Sequence, residues 1–350
     1  MRPPLQICSS ARMLLYFLAL AMEAQPNNPG RKHRLRRRDL VTNIFSLFSE
    51  EFERSDAESI WEIEIPMEGI KNYLQEKHSI TYKSNHWVYT QLKRYEEELG
   101  VKLFRKDCGG KDKQNFFLAI HQPFRTFFQK QHLYVTQKLK VANGVYDQIK
   151  NFALEVKRGE PVTMLMGAGT TLYLLAGILA NKSWEDDIRY TIFTHNVGCL
   201  REFIDPRVNH RNFEVFTPQG WVDPITYTIL ERDNALLTSR GYDFIVQGTS
   251  CVCEGKLYIE SEQERARKEA ILKNCSGRKI LVLTKHEFCD TPLKGCDPYG
   301  SLEDYDCIVV PRSSCEAGVR KRYEILFEEH CRRYSPQIIS WNYEILTVSG

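Results

Sequence analysis

Apolar positions along this chain change their spacing twice, and the changes divide it into parts. Over residues 39–53, Leu40, Ile44, Leu47 and Phe48 fall on one helical face. Pro66 stands at a helix N1 position ahead of Met67, Ile70, Tyr73 and Leu74, which describe a second face. From Ser84 the positions Val88, Leu92, Tyr95 and Leu99 recur at helical spacing, and Gly100 supplies the left-handed residue that ends such a helix. Two strand-like runs follow, 101–106 and 116–120, joined by the polar turn 108–113. Helices followed by a β-hairpin of this size predict a winged helix-turn-helix over residues 39–122.

Residues 123–159 read as a long linker helix opened by Pro123, with Phe128, Val135, Ala142, Ile149 and Val156 repeating every seven residues. Gln131, Lys138 and Gly144 weaken the second apolar position. Such a helix serves either as a dimerising element or as a connector packed against its own chain.

Beyond Gly159 short apolar runs alternate with helical patterns: strands at 162–166, 190–193, 215–217, 244–247, 279–284 and 306–311, helices at 172–180 and 262–274. Continuous apolar strands separated by helices predict an α/β domain over 160–318, its mostly parallel sheet covered on both faces. Residues 319–350 add a C-terminal helix and an apolar run, 338–346, that the pattern does not place.

Composition narrows the class. In 350 residues, 42% hydrophobic and 27% charged is ordinary for a globular protein and excludes global disorder or a many-spanning membrane protein. A net charge of +3 is too small to diagnose a nucleic-acid partner. Eleven cysteines without a regular ladder point to reduced thiols in a cytoplasm, and Cys251-x-Cys253 reads as two small residues in a pocket loop. Residues 1–38 read as a disordered or mis-assigned extension. Within it, Met13 to Ala21 has the shape of a signal-peptide core but is too short to span a bilayer, and Arg31 to Arg38 form a basic, solvated tail.

Candidate chemistry clusters at the ends of the predicted strands. The run Val162 to Met166, then Gly167-Ala168-Gly169-Thr170-Thr171, is a strand, a small-residue turn and a helix start. Such a turn lets backbone N–H groups approach an anion, with two hydroxyls at the positive helix end, though by itself it is also an ordinary tight turn. The next strand ends in Thr194-His195-Asn196, where open α/β sheets bind ligands. Thr217-Pro218-Gln219-Gly220, the strand ending in Gly248, and Glu254-Gly255-Lys256 come after it.

This succession, from Pro161 to Cys315, resembles the effector-sensing domain of DeoR-family transcriptional regulators. The resemblance implies a sugar-phosphate pocket lined by Gly167, Ala168, Gly169, Thr170, Thr171, Thr194, His195, Asn196, Gln219, Gly220, Gly248, Lys256, Glu264, Lys268 and Lys285. The chain departs from the family at Gly167 and Lys285, which stand where it has aspartates, at His286-Glu287 for a serine-lysine pair, and at Gln219-Gly220 for a glycine pair. A pocket so altered takes a different phosphorylated or nucleotide-like ligand, or none. Sugar-phosphate isomerases and coenzyme A transferases share the fold, and proton-transfer isomerisation needs a carboxylate or histidine beside the sugar. His195, Glu254 and Glu264 are the candidates, each with a plainer role as a strand-end hydrogen-bonder, a turn residue or an exposed helix residue.

In the winged helix, the second helix presents Asn85, His86, Tyr89, Thr90, Lys93 and Arg94 opposite its apolar face, preceded by Lys83 and Ser84. Asn and Arg suit base edges, while Lys, Ser and Tyr suit phosphates. Lys111 and Lys113 sit at the hairpin tip, and 93–104 also resembles the end of a LysR-type recognition helix. The sequence therefore predicts a cytoplasmic transcriptional regulator that forms a homo-oligomer, binds double-stranded DNA and a small phosphorylated effector, and needs no metal, cofactor or membrane. A sugar-phosphate isomerase-like enzyme and a ligand-sensing protein-interaction adaptor are the alternatives.

Overall fold

The computed structural model describes residues 35–107, 116–230, 235–312 and 320–348. They form two compact units, one of residues up to Phe48 with Glu64–Ile120, the other of Ser49–Ile63 with everything from His121. Lys111 and Lys113, and the apolar run near the N-terminus, lie outside the described residues.

The smaller unit contains helix α1 (Arg37–Arg54) up to Phe48, α2 (Met67–His78) and α3 (Asn85–Leu99), with strands β1 (Glu64–Pro66), β2 (Phe104–Asp107) and β3 (Phe117–Ile120). The strands make an antiparallel sheet in the order β1-β3-β2. Ile44, Phe45, Phe48, Ile70, Leu74, Val88, Leu92, Phe104 and Leu118 are among its buried apolar residues, and most of them are positions that carry the helical and strand periodicity. α3 starts where the Ser84 hydroxyl accepts the Trp87 N–H, and ends at Gly100, whose φ of 65° suits a residue without a Cβ. Glu96, in the acidic last turn, is buried: it accepts the N–H groups of Leu103 at 2.7 Å and Phe104 at 2.8 Å and pairs with Lys93. Arg37 and Arg38, assigned by sequence to a tail, begin α1, and Arg37 bonds Gln91 and Glu98.

The larger unit is built on an eight-stranded sheet in the order β15-β16-β14-β12-β9-β4-β5-β6. Its strands are β4 (Val162–Met166), β5 (Tyr190–Thr194), β6 (Phe213–Phe216), β9 (Phe244–Gly248), β12 (Arg278–Val282), β14 (Cys307–Pro311), β15 (Ser335–Ile339) and β16 (Tyr343–Thr347). All pair in parallel except β16, which is antiparallel to both β14 and β15. Alternate strand residues feed opposite faces. Met164, Ile192, Val246, Ile280 and Val309 join one core cluster; Leu165, Phe193 and Ile245 join a second, and Leu281 and Ile308 a third. This double burial is why the strands read as unbroken apolar runs. The mixed α/β class and largely parallel sheet agree with the sequence reading.

Helices α4 (Phe127–Lys130), α5 (Val135–Phe152), α6 (Thr170–Lys182) and α7 (Val197–Phe203) precede α8 (Ala235–Thr238), α9 (Glu262–Asn274) and α10 (Arg322–Cys331). The region set apart as a linker helix is thus broken. Its main part, α5, buries Val141, Ala142, Val145 and Ile149 in the same core cluster as the sheet, so the packed-connector alternative describes it. A Cβ on Gly144 would lie 2.8 Å from the Tyr343 ring, so glycine there permits a close helix-to-strand approach. Residues 319–350, separated by sequence, contribute α10, β15 and β16. Short elements that periodicity missed are the hairpin β7 (Trp221–Asp223) and β8 (Thr228–Leu230), and a small sheet of β10 (Cys251–Cys253), β11 (Lys256–Tyr258) and β13 (Gly300–Ser301). No helix among the described residues is long and apolar enough to cross a membrane.

Candidate functional site

From β4 the sheet grows one way to β5 and β6 and the other way to β9, β12 and β14. The direction reverses between β4 and β9, and at such a switch point the loops leaving the two strands diverge and open a crevice. β4 ends in the Gly167–Gly169 turn, and β9 ends in Gly248. The turn approaches β9 closely, since a Cβ on Gly167 would lie 3.3 Å from the Val246 carbonyl. Gly169, at φ 120°, ends the turn and stands at the N-cap of α6, where it has no side chain of its own to cap the helix.

Asn196 ties the turn to the next strand. Its amide nitrogen donates to the carbonyls of Gly167 and Gly169, the latter at 3.0 Å, and its oxygen accepts the N–H groups of Gly198 and Cys199 at the start of α7. Asn196→Ala is expected to cost about 2–3 kcal/mol in chemical denaturation, a lost cap plus buried groups left unpaired. A cost near zero would show that the turn holds itself.

Beside Asn196, the buried His195 donates from Nε2 to Glu264 at 2.9 Å. Glu264, Arg267 and Lys268 come from one face of α9, where spacings of three and four bring side chains together. The Arg267 guanidinium donates to Glu264 at 2.8 Å and to the Ile229 carbonyl at 3.1 Å. Lys268 donates to the Gly248 carbonyl at 2.9 Å, stands 3.8 Å from Glu264 and lies over the Tyr299 ring. All four side chains are buried. Burial pushes the Glu264 carboxyl up, but His195, Lys268 and Arg267 around it more than reverse this and hold it at about 2. Burial lowers the pKa of His195, with Arg267 and Lys268 adding to the effect against Glu264, so the imidazole is neutral at physiological pH. With Nε2–H committed to an ionised carboxylate, Nδ1 carries the lone pair. That atom is buried and has no hydrogen-bond partner among the described residues, and neither does Gln247 Nε2.

Arg267 and Lys268 flank the one carboxylate of this buried group, and burial lowers the Lys268 pKa. The group sits under a turn whose Ala168, Gly169, Thr170 and Thr171 stay half-exposed, facing a loop, 248–250, that is half-exposed as well. The half-exposed turn offers backbone N–H groups to an anion from solvent, while the neutral His195 beside Asn196 is buried.

The structure thus gathers Gly167 to Thr171, Thr194 to Asn196, Gly248, Glu264 and Lys268. The other four predicted residues lie on other segments of the larger unit, Gly220 against Leu230, whose neighbour Ile229 donates its N–H to the His195 carbonyl. Gln219 and Gly220 are exposed before the β7–β8 hairpin, where a Cβ on Gly220 would strike the Leu230 carbonyl at 2.0 Å. Lys256 is an exposed residue of β11. Lys285 is buried with its ammonium over the Phe327 ring, while His286 stacks between Tyr134 and Tyr323. Glu254 is exposed at a left-handed turn position. Glu264, read as an exposed helix residue in its plainer role, is buried instead. Arg267, Gln247 and Tyr299 were missed; Arg267 had a signal in its spacing from Glu264, whereas Tyr299 reaches the Gly248 carbonyl from a distant loop. Among the described residues no group of three or more His, Cys, Asp or Glu is placed to hold a metal ion.

In the smaller unit, Lys83, His86 and Arg94 are exposed. Lys93 is committed to Glu96 at 2.6 Å, Thr90 donates to the His86 carbonyl, Tyr89 packs edge-on against Phe116, and Ser84 serves as the cap. Asn85 is half-buried.

No family model and no curated protein matches the chain. Among solved structures it is similar to ribose 5-phosphate isomerase from Plasmodium falciparum, at 11% identity over 60% of this chain and 78% of that one, with a TM-score of 0.27. It is similar to the tetrameric eIF2B-beta2-delta2 complex from C. thermophilum at 11% identity over 92% and 94%, TM-score 0.34, and to eIF2B delta from Chaetomium thermophilum at 9% over 76% and 87%, TM-score 0.33. Scores this low leave the function to be read from the residues of this chain.

Proposed function

We propose that the larger unit binds a small phosphorylated ligand, of the sugar-phosphate class, at the ends of β4, β5 and β9, and that His195 moves a proton on it. The observation that carries the reading is the buried cluster of His195, Glu264, Arg267 and Lys268 beside a glycine turn at a helix N-terminus. The phosphate would lie against the N–H groups of Gly169 to Thr171, and a carbonyl-bearing carbon would face Nδ1 of His195. Glu264 fixes the tautomer and orientation of the ring; engaged by three partners, it acts as a positioning residue. The resemblance to DeoR-type sensors supports the ligand class, and the His195–Glu264 pair favours an isomerase-like proton transfer over sensing alone.

Calorimetric titration of the full chain with inorganic phosphate and with pentose and hexose phosphates tests binding. Phosphate esters are expected to bind, and Lys268→Met to weaken them by at least about tenfold through loss of the amine that holds the Gly248 carbonyl and stands beside Glu264. Absence of binding by any phosphate ester would overturn the reading.

A second reading concerns the smaller unit: its order of helices and antiparallel hairpin supports a winged helix that contacts DNA through the exposed Lys83, His86 and Arg94. Retention of genomic fragments should then fall steeply with salt, and Lys83→Ala with Arg94→Ala should lower the salt slope by about 1 for each phosphate contact removed. Salt-insensitive or absent retention would discard DNA as the partner and leave a ligand-binding protein or adaptor.

A further inference from the structure

β10 carries Cys251 and Cys253 two residues apart, so both side chains leave the same face of the strand while Val252 turns into a core cluster. The segment after β12 runs beside it. Val252 and Phe288 form a parallel bridge, the Val252 N–H donates to the Glu287 carbonyl at 2.7 Å, and the Cys289 N–H donates to the Val252 carbonyl at 3.0 Å. One step further in this register brings Cys253 opposite Cys289. The disulfide, however, is made on the diagonal, between Cys251 and Cys289, whose Cα atoms are 6.5 Å apart. Cys253 remains a thiol, its sulfur 3.6 Å from the carbonyl of Asp290, the neighbour of Cys289. The Cys251 sulfur lies against the carbonyl of the next residue, Thr291, at 3.9 Å. Three sulfur atoms therefore line one seam between two chain segments, and of the three residues Cys289 is the one that is partly exposed.

We propose that Cys251, Cys253 and Cys289 form a thiol–disulfide exchange site in which Cys289 pairs with either neighbour, taking small dithiols and organic disulfides as co-reactants. In the internal step the Cys253 thiolate attacks the Cys289 sulfur. The Cys253–Cys289 bond forms as the Cys251–Cys289 bond breaks, and Cys251 leaves as a thiolate that takes up the proton Cys253 released. No electron is gained or lost. With a dithiol, one thiolate attacks the Cys289 sulfur and displaces Cys251 as thiolate, giving a mixed disulfide. The second thiol closes on that bond and releases Cys289, so the dithiol ends as a cyclic disulfide and the protein pair is reduced by two electrons. An organic disulfide runs the sequence in reverse. Moving the bond from Cys251 to Cys253 shifts the anchor of the 287–291 segment by about 6–7 Å along β10.

The test is disulfide mapping on the full chain. The protein is equilibrated across a series of reduced-to-oxidised glutathione ratios, quenched in acid, alkylated and digested with trypsin. Peptides 241–256 and 286–294 should appear joined, with fragmentation between residues 251 and 253 showing both bonds in the wild type. Cys251→Ser should form the Cys253–Cys289 bond, and Cys253→Ser should retain Cys251–Cys289 alone. Finding only Cys251–Cys289 in the wild type at every ratio would overturn the proposal, and that result needs no variant to fold. So would a Cys251→Ser protein with wild-type circular dichroism whose Cys253 and Cys289 stay fully alkylated under oxidising conditions.

Discussion

Glu264→Gln is expected to destabilise the larger unit by about 3–5 kcal/mol, the cost of leaving buried charges without their partner. The carboxylate is the one anion among four buried side chains, and its removal leaves Arg267 and Lys268 facing each other under the Gly248 loop. Glutamine keeps the volume and can still accept from His195, so the loss reports charge, not packing. The same pairing sets an acid limit. A carboxylate held at about 2 when folded and near 4.3 when unfolded contributes stability that is present above the unfolded value and is lost as pH falls toward 2. Urea denaturation followed by circular dichroism from pH 7 to pH 2.5 should show a steeper fall below pH 4.5 in the wild type than in the variant. Equal slopes would mean that Glu264 is not the charge on which the cluster depends.

The second large effect is on chemistry. If His195 removes a proton beside a carbonyl, the protein in D2O should wash deuterium into the carbon of an aldose or ketose phosphate. His195→Gln should reduce that exchange by about 100- to 10,000-fold, the usual worth of a positioned general base. Glutamine retains a donor toward Glu264, so binding of the phosphate ester should change by less than about threefold, a small fraction of the binding free energy. The imidazole pKa is lowered by burial, so exchange should be flat through neutral pH and fall only in acid, as the ring becomes protonated. Binding without exchange in the wild type would assign the site to sensing.

The parallel core was legible because its strands are covered on both faces and so carry unbroken apolar runs; β4 and α9 fall on the residues that pattern marked. The antiparallel pair β15 and β16 was not. The first has all five residues exposed at the sheet edge, and only the second enters the core, so the stretch carries no single period. For α5 the seven-residue repeat could not choose between a dimerising helix and a packed connector, because the face that Val141, Ala142, Val145 and Ile149 turn to the sheet follows a different spacing. At the site, the glycine turn and strand-end residues could be found because each is local. The contacts of Thr228 and Ile229 with Asn196, His195 and Arg267 could not, since they join a short hairpin to residues more than thirty positions away. Reduced thiols were expected throughout, yet Cys251 pairs with Cys289, 38 residues away, across two chain segments whose pairing no local pattern announces.

The position of β16 has a consequence for how the protein is made. This strand, close to the end of the sequence, is inserted between β15 and β14 and supports α5, whose Asp147 accepts a hydrogen bond from the Tyr343 hydroxyl. During synthesis α5 leaves the ribosome almost two hundred residues before its partner. Until residue 347 is free of the exit tunnel, one edge of β14 and part of the apolar face of α5 remain open to whatever else is nearby. A nascent chain is exposed to misassociation throughout the interval between α5 and β16, and shielding of that edge by a chaperone would matter more here than in a sheet assembled in the order in which it is made.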